Sequence, residues 1–458
     1  MFFSAHISVN YYSLISKGML LLLLSMMVAA SAQAGEISTL RQSVDYALHN
    51  NRLLAADASA VVQARAGQDQ AYGHFMPRLD WSTGVIRTDS PSNYFGTKLN
   101  QRKITVSAFN PTFLNSPGYI NNYQSHLNLS MPIYQGGALW AGKKQADQQL
   151  EASSMNHGFM RQQVIFQTIS AYVHSRQAYA AVDAMKTAVG AAEKRFEDAQ
   201  ALQKRGVLID SDVMDAHVHL LRTRLKLKQA NNAYAKALEQ LQRVMGLADG
   251  VQVAVTEEPR LADARLSLKE AVVKALAQRS DLKAMAHAYQ ALQAGEDATR
   301  SAFLPHVDLV ATQEWNASTL SLKNRTTTIG ATVSMNLFAG GSDRAKMRAA
   351  QAKITALELQ ISDHKQQIRN EVANAWRMLD ESRFRDQSER EALKQSEESL
   401  RIKSLRYEQG LTRTSDLLDS QSLVDQTRLS SIGAKYDVTI SRAALLLAMG
   451  MLDEGAIR

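Results

Sequence analysis

The sequence contains no cysteine among its 458 residues. This excludes structural disulfides, thiolate metal sites and a lipid-modified N-terminal cysteine. No Gly-x-Gly-x-x-Gly, P-loop, Gly-x-Ser-x-Gly or His-Glu-x-x-His pattern occurs, so we expect neither an enzyme nor a bound cofactor or metal. The net charge of +8 is spread along the chain without a dense basic cluster, and we expect no nucleic-acid partner.

Long apolar runs are also scarce. The one clear run covers residues 19–30, with Lys17 before it and the small residues Ala32 and Ala34 after it. About 12 apolar residues are too few for a spanning helix, which takes ~20. The pattern instead predicts a signal peptide over 1–34, cleaved after Ala34, so we expect an exported chain.

One unit occurs twice in the sequence. Residues 75–80 (FMPRLD) return at 303–308 (FLPHVD), and residues 130–137 (SMPIYQGG) return at 334–341 (SMNLFAGG). From the second of these segments onward the copies lie 204 residues apart, whereas upstream of the first they lie 228 apart. The difference of 24 residues indicates an insertion between the two segments of the first copy, and the repetition itself predicts a pseudo-symmetric architecture.

Each copy shows the same order of hydrophobic periods, which predicts a mainly α fold with a small β portion. A helical period over 37–73 or 266–301 gives way, after Pro77 or Pro305, to two runs of period two. We predict a first repeat over 35–250, with strands at 78–88 and 122–135, a long helix at 139–203 and a return helix at 211–246. The second repeat covers 251–458, with strands at 306–316 and 326–339, a long helix at 342–409 and a return helix at 414–449.

Period two gives each predicted strand one apolar and one polar face. Strands of about 10 residues match outer-membrane strands, and a soluble β-sandwich is the alternative. Four strands cannot close a barrel, and lipid does not tolerate open sheet edges, so several chains would share one barrel. Strand number alone leaves three or four chains open. The predicted lipid-facing residues are Leu127, Leu129, Met131, Ile133, Ile329, Val333, Met335 and Leu337, whereas His126 lies on the polar face.

The strand pairs begin and end on helices, which predicts that all helices lie on the periplasmic side of the membrane. Each long helix would extend roughly 100 Å and would form part of a tunnel. We expect the helix–strand junctions at Pro77, Pro305, Pro132, Gly136, Gly137, Gly340 and Gly341, and the helix-hairpin turns at Gly206 and Gly410. A periplasmic helical adaptor or scaffold is the alternative function, although it does not explain the strand pairs.

Together these features resemble the TolC-like outer membrane efflux proteins. The resemblance covers the whole mature chain and depends on the paired repeats, the Phe-x-Pro segments, 132–137 (PIYQGG) and 410–419 (GLTRTSDLLD). It implies a homotrimer in outer-membrane lipid, with a 12-stranded barrel continuous with a periplasmic helical barrel. It also implies the exit duct of a tripartite efflux pump or type I secretion system, with a periplasmic adaptor and an inner-membrane ABC or proton-driven transporter. The cargo stays open.

The turn after the second long helix is the most specific local segment. Asp416 and Asp419 are three residues apart, so they share a helix face and would form carboxylate rings in a symmetric assembly. The resemblance places such rings at the periplasmic entrance. Asp212 and Asp215 are their first-copy counterparts, for which a helix N-terminal role is favoured.

The resemblance also implies polar links that lock a closed state at this turn. One link joins Tyr407 to Asp212. A second joins Arg413 to the region of Ser211, although Arg413 lies one residue later than the family pattern places its arginine.

Overall fold

A computed structural model describes residues 39–247, 253–263 and 266–457. The signal peptide predicted over 1–34 lies outside the described residues. Two compact units make up the fold. The strand unit comprises Ala56–Met160 and Val273–Asn370, and the helical unit comprises the described residues up to Ala55 together with 161–272 and 371–457.

Helices make up most of the described residues. The opening helices are α1 (Leu40–Asn50) and α2 (Arg52–Gly73) in the first copy and α7 (Leu268–Gln278) and α8 (Ser280–Arg300) in the second. The long helices are α5 (Ala138–Lys204) and α9 (Ser342–Glu408), and the return helices are α6 (Asp210–Met245) and α10 (Thr414–Ala448). Two short helices, α3 (Pro91–Asn100) and α4 (Pro111–Asn115), lie in the first strand connection. No helix in the described residues is long and apolar enough to cross a membrane.

The opening segment of each copy, predicted as one continuous helix, is broken in the structure. The backbone at Asn51 is extended, and its side-chain oxygen accepts hydrogen bonds from the amides of Leu53 and Leu54, at 2.9 and 3.0 Å. This side chain therefore caps a new helix. The second copy breaks at Arg279, where the backbone is also non-helical, with φ of −57° and ψ of 123°. Hydrophobic periodicity continues through both positions, which explains why the pattern did not show the breaks.

The strand unit contains one antiparallel sheet in the order β1-β2-β3-β4. Its strands are β1 (Arg78–Thr88), β2 (Ile120–Gln135), β3 (His306–Ala317) and β4 (Arg325–Ser334). One row of paired positions runs from Leu79 through Leu129 and Ala311 to Ile329. β1 and β4 are consequently the edges of the sheet, and the apolar positions of successive strands share one face.

The structure corrects two details of the predicted strands. β4 ends at Ser334, opposite His306 at the start of β3, so Met335 and Leu337 lie beyond the strand. Pro305 precedes β3 and has no amide hydrogen to extend the ladder. In β2 the register shifts between Pro132 and Tyr134. Ile133 is therefore the extra residue of a β-bulge rather than the next member of the alternating face.

The helical unit has a core of aliphatic and alanine side chains with a few anchored aromatic residues. The hydroxyl of buried Tyr172 donates to the carbonyl of Glu257, at 3.0 Å. Burial raises the Tyr172 pKa to about 12. Glu258 accepts from Tyr436 at 2.9 Å and forms ion pairs with Arg176 and Lys435. These bonds attach the segment between the two repeats to the long helix α5 and the return helix α10.

Candidate functional site

The apolar face of the sheet is exposed to the surroundings of the chain. Leu129, Met131, Ile133, Ile329 and Val333 are all exposed, and Ile329 and Val333 on the edge strand retain 73% and 68% of their surface. Leu127 is half-buried. On the same face the rings of Trp81 and Trp315 lie 5.5 Å apart. A row of exposed aliphatic side chains this wide needs an apolar environment, as a lipid-facing strand does.

The opposite face carries a hydrogen-bonded polar network. Glu314 accepts from Gln124 at 2.9 Å and from Asn316 at 2.6 Å. Asn122 donates to Asn316 at 2.6 Å and accepts from Gln101 at 3.0 Å. Sequence reasoning singled out only His126 on this face, and its Nδ1 lies 3.9 Å from Glu314. The polar residues at alternate positions of β2 and β3 were the available signal for the rest.

Gln101, which belongs to the inserted connection, completes this network from outside the sheet. It is 2% exposed and also donates to the carbonyl of Asn121, at 2.8 Å. The insertion therefore packs against one end of the sheet, termed the loop end, where residues 89–119 and 318–324 connect the strands. The other end, termed the helix end, joins the strands to helices.

The junction residues predicted from the sequence lie at the helix end. Gly136, Gly137, Gly340 and Gly341 all have positive φ, between 57° and 86°. At Gly136 a Cβ would lie 2.8 Å from the carbonyl oxygen of Ser301, so no larger residue fits. Pro77 and Pro305 directly precede β1 and β3, and Pro132 lies at the bulge of β2. The glycines thus permit the sharp change from strand to long helix.

Both hairpin turns lie in the helical unit and close in the same way. Gly206 and Gly410 have φ values of 76° and 72°. The amides of Val207 and Leu411 donate back to the last helical turn, at 3.0 and 2.8 Å. These are left-handed helix ends, for which glycine is the usual residue.

The carboxylates predicted at the entrance lie at the start of the return helices. Asp416, Asp419 and Asp215 are exposed, and Asp212 is half-buried. Asp210 and Asp212 occupy the first turn of α6, and Asp416 occupies that of α10, where acids complement the helix dipole. Both roles proposed from the sequence are therefore compatible with these positions.

The predicted link residues have other neighbours within the single chain. The Tyr407 hydroxyl lies 3.4 Å from the Thr414 hydroxyl, and no Tyr407–Asp212 hydrogen bond occurs between the described residues. Arg413 and Ser211 are exposed at the N-termini of their return helices. Ser211 and Asp212 lie at the first hairpin turn, and Tyr407 and Arg413 lie at the second. The links between these residues stay a prediction.

Sequence reasoning missed a partly buried polar cluster on three helices of the helical unit, formed by Arg195 (α5), His219 (α6) and Gln421 with Asp425 (α10). Gln421 donates to Asp425 at 2.9 Å, and both are almost fully buried. Burial lowers the pKa of Arg195 and of His219, and the charge of Asp425 opposes both shifts. Sequence spacing gave no signal, because the cluster depends on how separate helices pack.

An antiparallel sheet with one lipid-compatible face, one polar face and two open edges, connected to very long helices, defines a class of channel-forming outer-membrane proteins. The comparison with known families agrees. The family model described as "Outer membrane efflux protein" matches residues 43–247 and 271–451, and the chain belongs to this family. The protein is accordingly an outer-membrane export channel with its helices in the periplasm, and the adaptor alternative is set aside.

Individual relatives have low sequence identity to this chain but match most of its length. Protein CyaE of Bordetella pertussis is 26% identical over 356 residues, or 76% of this chain and 74% of CyaE. Alkaline protease secretion protein AprF of Pseudomonas aeruginosa is 22% identical over 352 residues, or 73% of this chain and 71% of AprF. The solved Campylobacter jejuni CmeC outer membrane channel has a TM-score of 0.77 at 18% identity, covering 91% of this chain and 86% of CmeC. The fold is therefore that of a known channel.

Proposed function

We propose that three copies of this chain form one channel, with a 12-stranded barrel in the outer membrane and a helical barrel in the periplasm. The observation that carries the proposal is the open four-stranded sheet. Both β1 and β4 have an unpaired edge, and lipid does not tolerate unpaired backbone groups. Because β1 and β4 are antiparallel, β4 of one chain can pair with β1 of the next and continue the sheet around a ring.

A second observation supports assembly from the helical unit. Met214, Val218, Leu221 and Leu225 on α6 are exposed, with 66%, 44%, 51% and 58% of their surfaces accessible. Their spacing of 4, 3 and 4 residues is that of a coiled-coil seam. We assign this seam to a contact with a second copy of the chain.

The assembled channel would serve as the exit duct of a tripartite efflux pump or type I secretion system. A periplasmic adaptor would connect it to an inner-membrane ABC or proton-driven transporter, which supplies the energy. AprF is named as an alkaline protease secretion protein, which supports secretion of a protein cargo alongside efflux. Copurification of the tagged channel after cross-linking in cells tests this, because the class of transporter recovered identifies the type of export system.

The entrance would lie at the hairpin turns. Asp416 and Asp419 of three chains would form carboxylate rings that attract cations, with Asp212 and Asp215 beside them. Links from Tyr407 to Asp212 and from Arg413 to Ser211 would hold the closed state. A Tyr407→Phe, Arg413→Ser double variant is then expected to raise single-channel conductance several-fold in planar bilayers. Unchanged conductance would remove these residues from the gate.

The stoichiometry is tested by native mass spectrometry of the detergent-solubilised protein, with conductance measured on the same preparation. We expect a mass of three chains and discrete channel openings. A stable assembly of two or four chains that conducts would contradict the trimer but would still support a barrel shared between chains. A monomer without conductance would contradict both.

A further inference from the structure

Two arginines lie on the apolar face of the sheet at its loop end. Arg87 is on edge strand β1, eight residues after Leu79 in an unbroken alternation, so it shares the apolar face. Arg325 is the first residue of the other edge strand and pairs with Trp315, which also lies on that face. Both arginines are exposed. Each edge therefore carries a guanidinium toward the loop end of the apolar face, with Arg325 in the paired row of Thr83, four residues before Arg87.

A third arginine reaches the same place from the inserted connection. The Arg102 guanidinium donates to the carbonyl of Arg325, at 3.0 Å. Arg102 has φ of 54°, a left-handed conformation that is uncommon outside glycine. Lys103 beside it donates to the hydroxyl of Ser318, at 2.7 Å, which attaches the insertion to the β3–β4 connection. The insertion thus positions a second guanidinium next to the start of β4.

These arginines have no anionic partner of their own. In the part of the chain that the structure describes, none of Arg87, Arg102 and Arg325 forms an ion pair with a carboxylate. Glu314 lies on the opposite face and is already bonded to Gln124 and Asn316. The Arg87 guanidinium instead lies over the ring of Tyr119, 4.8 Å from its centre. A tyrosine beside arginine above an apolar band is typical of a membrane–water interface.

We propose that Arg87 of one chain, together with Arg325 and Arg102 of its neighbour, binds the phosphate group of an outer-leaflet lipid. This rests on the proposed function, because β4 of one chain must adjoin β1 of the next for the three guanidinium groups to converge. The apolar face below them, with Trp81, Val85 and Ile329, would contact the acyl chains. Arginine suits this role because its planar donors match phosphate oxygens in pairs. Each seam between chains would then hold one lipid phosphate group.

The test measures lipid binding to the full-length assembly in neutral detergent. The probe is dioleoyl phosphatidic acid, and dioleoylglycerol, which lacks the phosphate, reports the contribution of the acyl chains. We expect wild-type protein to prefer phosphatidic acid by about tenfold or more, as for charge-assisted bonds to phosphate. The variant Arg87→Gln with Arg325→Gln is expected to lose that preference. The control variant is Arg78→Gln with Lys323→Gln, which removes one exposed charge from β1 and one from the β3–β4 connection. It should keep the preference for phosphatidic acid.

Three outcomes would overturn the inference. The first is an undiminished preference in the Arg87→Gln, Arg325→Gln variant, and the second is an equal loss in the control variant. The third is inorganic phosphate binding as tightly as the lipid, which would indicate a site for free anions. Native mass and conductance of each preparation are recorded together with binding. A variant that assembles and conducts normally but still prefers phosphatidic acid refutes only the lipid site, whereas wild-type protein that does not assemble refutes the proposed function.

Discussion

The two hairpin turns have related sequences and different surroundings. Leu418, in the second copy, occupies the position of Met214 in the first, 204 residues earlier. Leu418 is 9% exposed and Met214 is 66% exposed. The start of α10 is thus packed within its own chain, whereas the start of α6 presents its apolar side outward. In the proposed assembly, the exposed apolar side of α6 would contact a neighbouring chain.

The largest expected effect is on the packed hairpin. Leu418→Ala should destabilise the helical unit by about 2–4 kcal/mol, because it leaves a cavity in a buried site. The measurement is the thermal unfolding of the helical circular dichroism signal. Met214→Ala is the matched control, and within an isolated chain it should cost no more than about 0.5 kcal/mol. If the seam on α6 is covered in the assembly, Met214→Ala will instead lower the temperature at which the trimer dissociates.

The second prediction compares the carboxylates of the two turns. Asp416→Ala with Asp419→Ala should weaken block by multivalent cations about tenfold, because the proposed carboxylate rings would supply the attraction. Asp212→Ala with Asp215→Ala should change the block much less. Titrating the current through single channels with a trivalent cation measures both. Equal effects of the two pairs would mean that both hairpins line the entrance.

The third prediction concerns the turn glycines, at which the two copies should agree. A Cβ at Gly206 or Gly410 would meet no atom within 4 Å, so the cost of alanine is the backbone strain alone. We expect about 1 kcal/mol for either Gly→Ala variant. Gly246→Ala is the contrasting variant, because its Cβ would collide with the carbonyl of Asn50. If thermal unfolding shows that Gly410→Ala destabilises the protein as much as Gly246→Ala does, the second turn must be more crowded than it is in the structure.

The smallest expected effect is a pH dependence arising from the partly buried polar cluster. Burial lowers the His219 pKa below its unfolded value of about 6.5, so the unfolded state binds more protons below that pH. Stability from neutral His219 is therefore present at neutral pH and is lost as pH falls from about 6.5 through the folded pKa. The unfolding temperature of His219→Gln, followed from pH 8 to pH 5, should fall less than that of the wild type. Parallel curves would contradict a His219 pKa that burial lowers.

Sequence pattern located the elements of the repeat better than their ends. The long helices were predicted at 139–203 and 342–409, and the structure has Ala138–Lys204 and Ser342–Glu408. Helix length and period depend on local chemistry, so the sequence contains that information. The early end of β4 depends on its partner strand, and the bulge at Ile133 depends on cross-strand register. Neither is encoded in the alternation of one strand.

The candidate site likewise contains some features that the sequence predicts and others that it does not. The turns at Gly206 and Gly410 could be predicted because left-handed helix ends demand a particular residue. The cluster of Arg195, His219 and Asp425 could not, because those side chains lie on three different helices. Likewise, nothing in the insertion indicated that Gln101 would reach Asn122 in β2. Contacts between distant segments require the packing arrangement, which hydrophobic period does not supply.

The proposed barrel depends on the pairing of β4 of one chain with β1 of another. Because the chain has no cysteine, engineered cysteines report this contact without background. Ser82→Cys in β1 would be combined in turn with Thr326→Cys, Thr328→Cys or Thr332→Cys in β4, all on the polar face, and oxidised in outer membranes. We predict that one combination yields a covalent product of three chains on a denaturing gel. Disulfides confined to single chains, or a product that stops at two chains, would contradict a barrel shared by three chains.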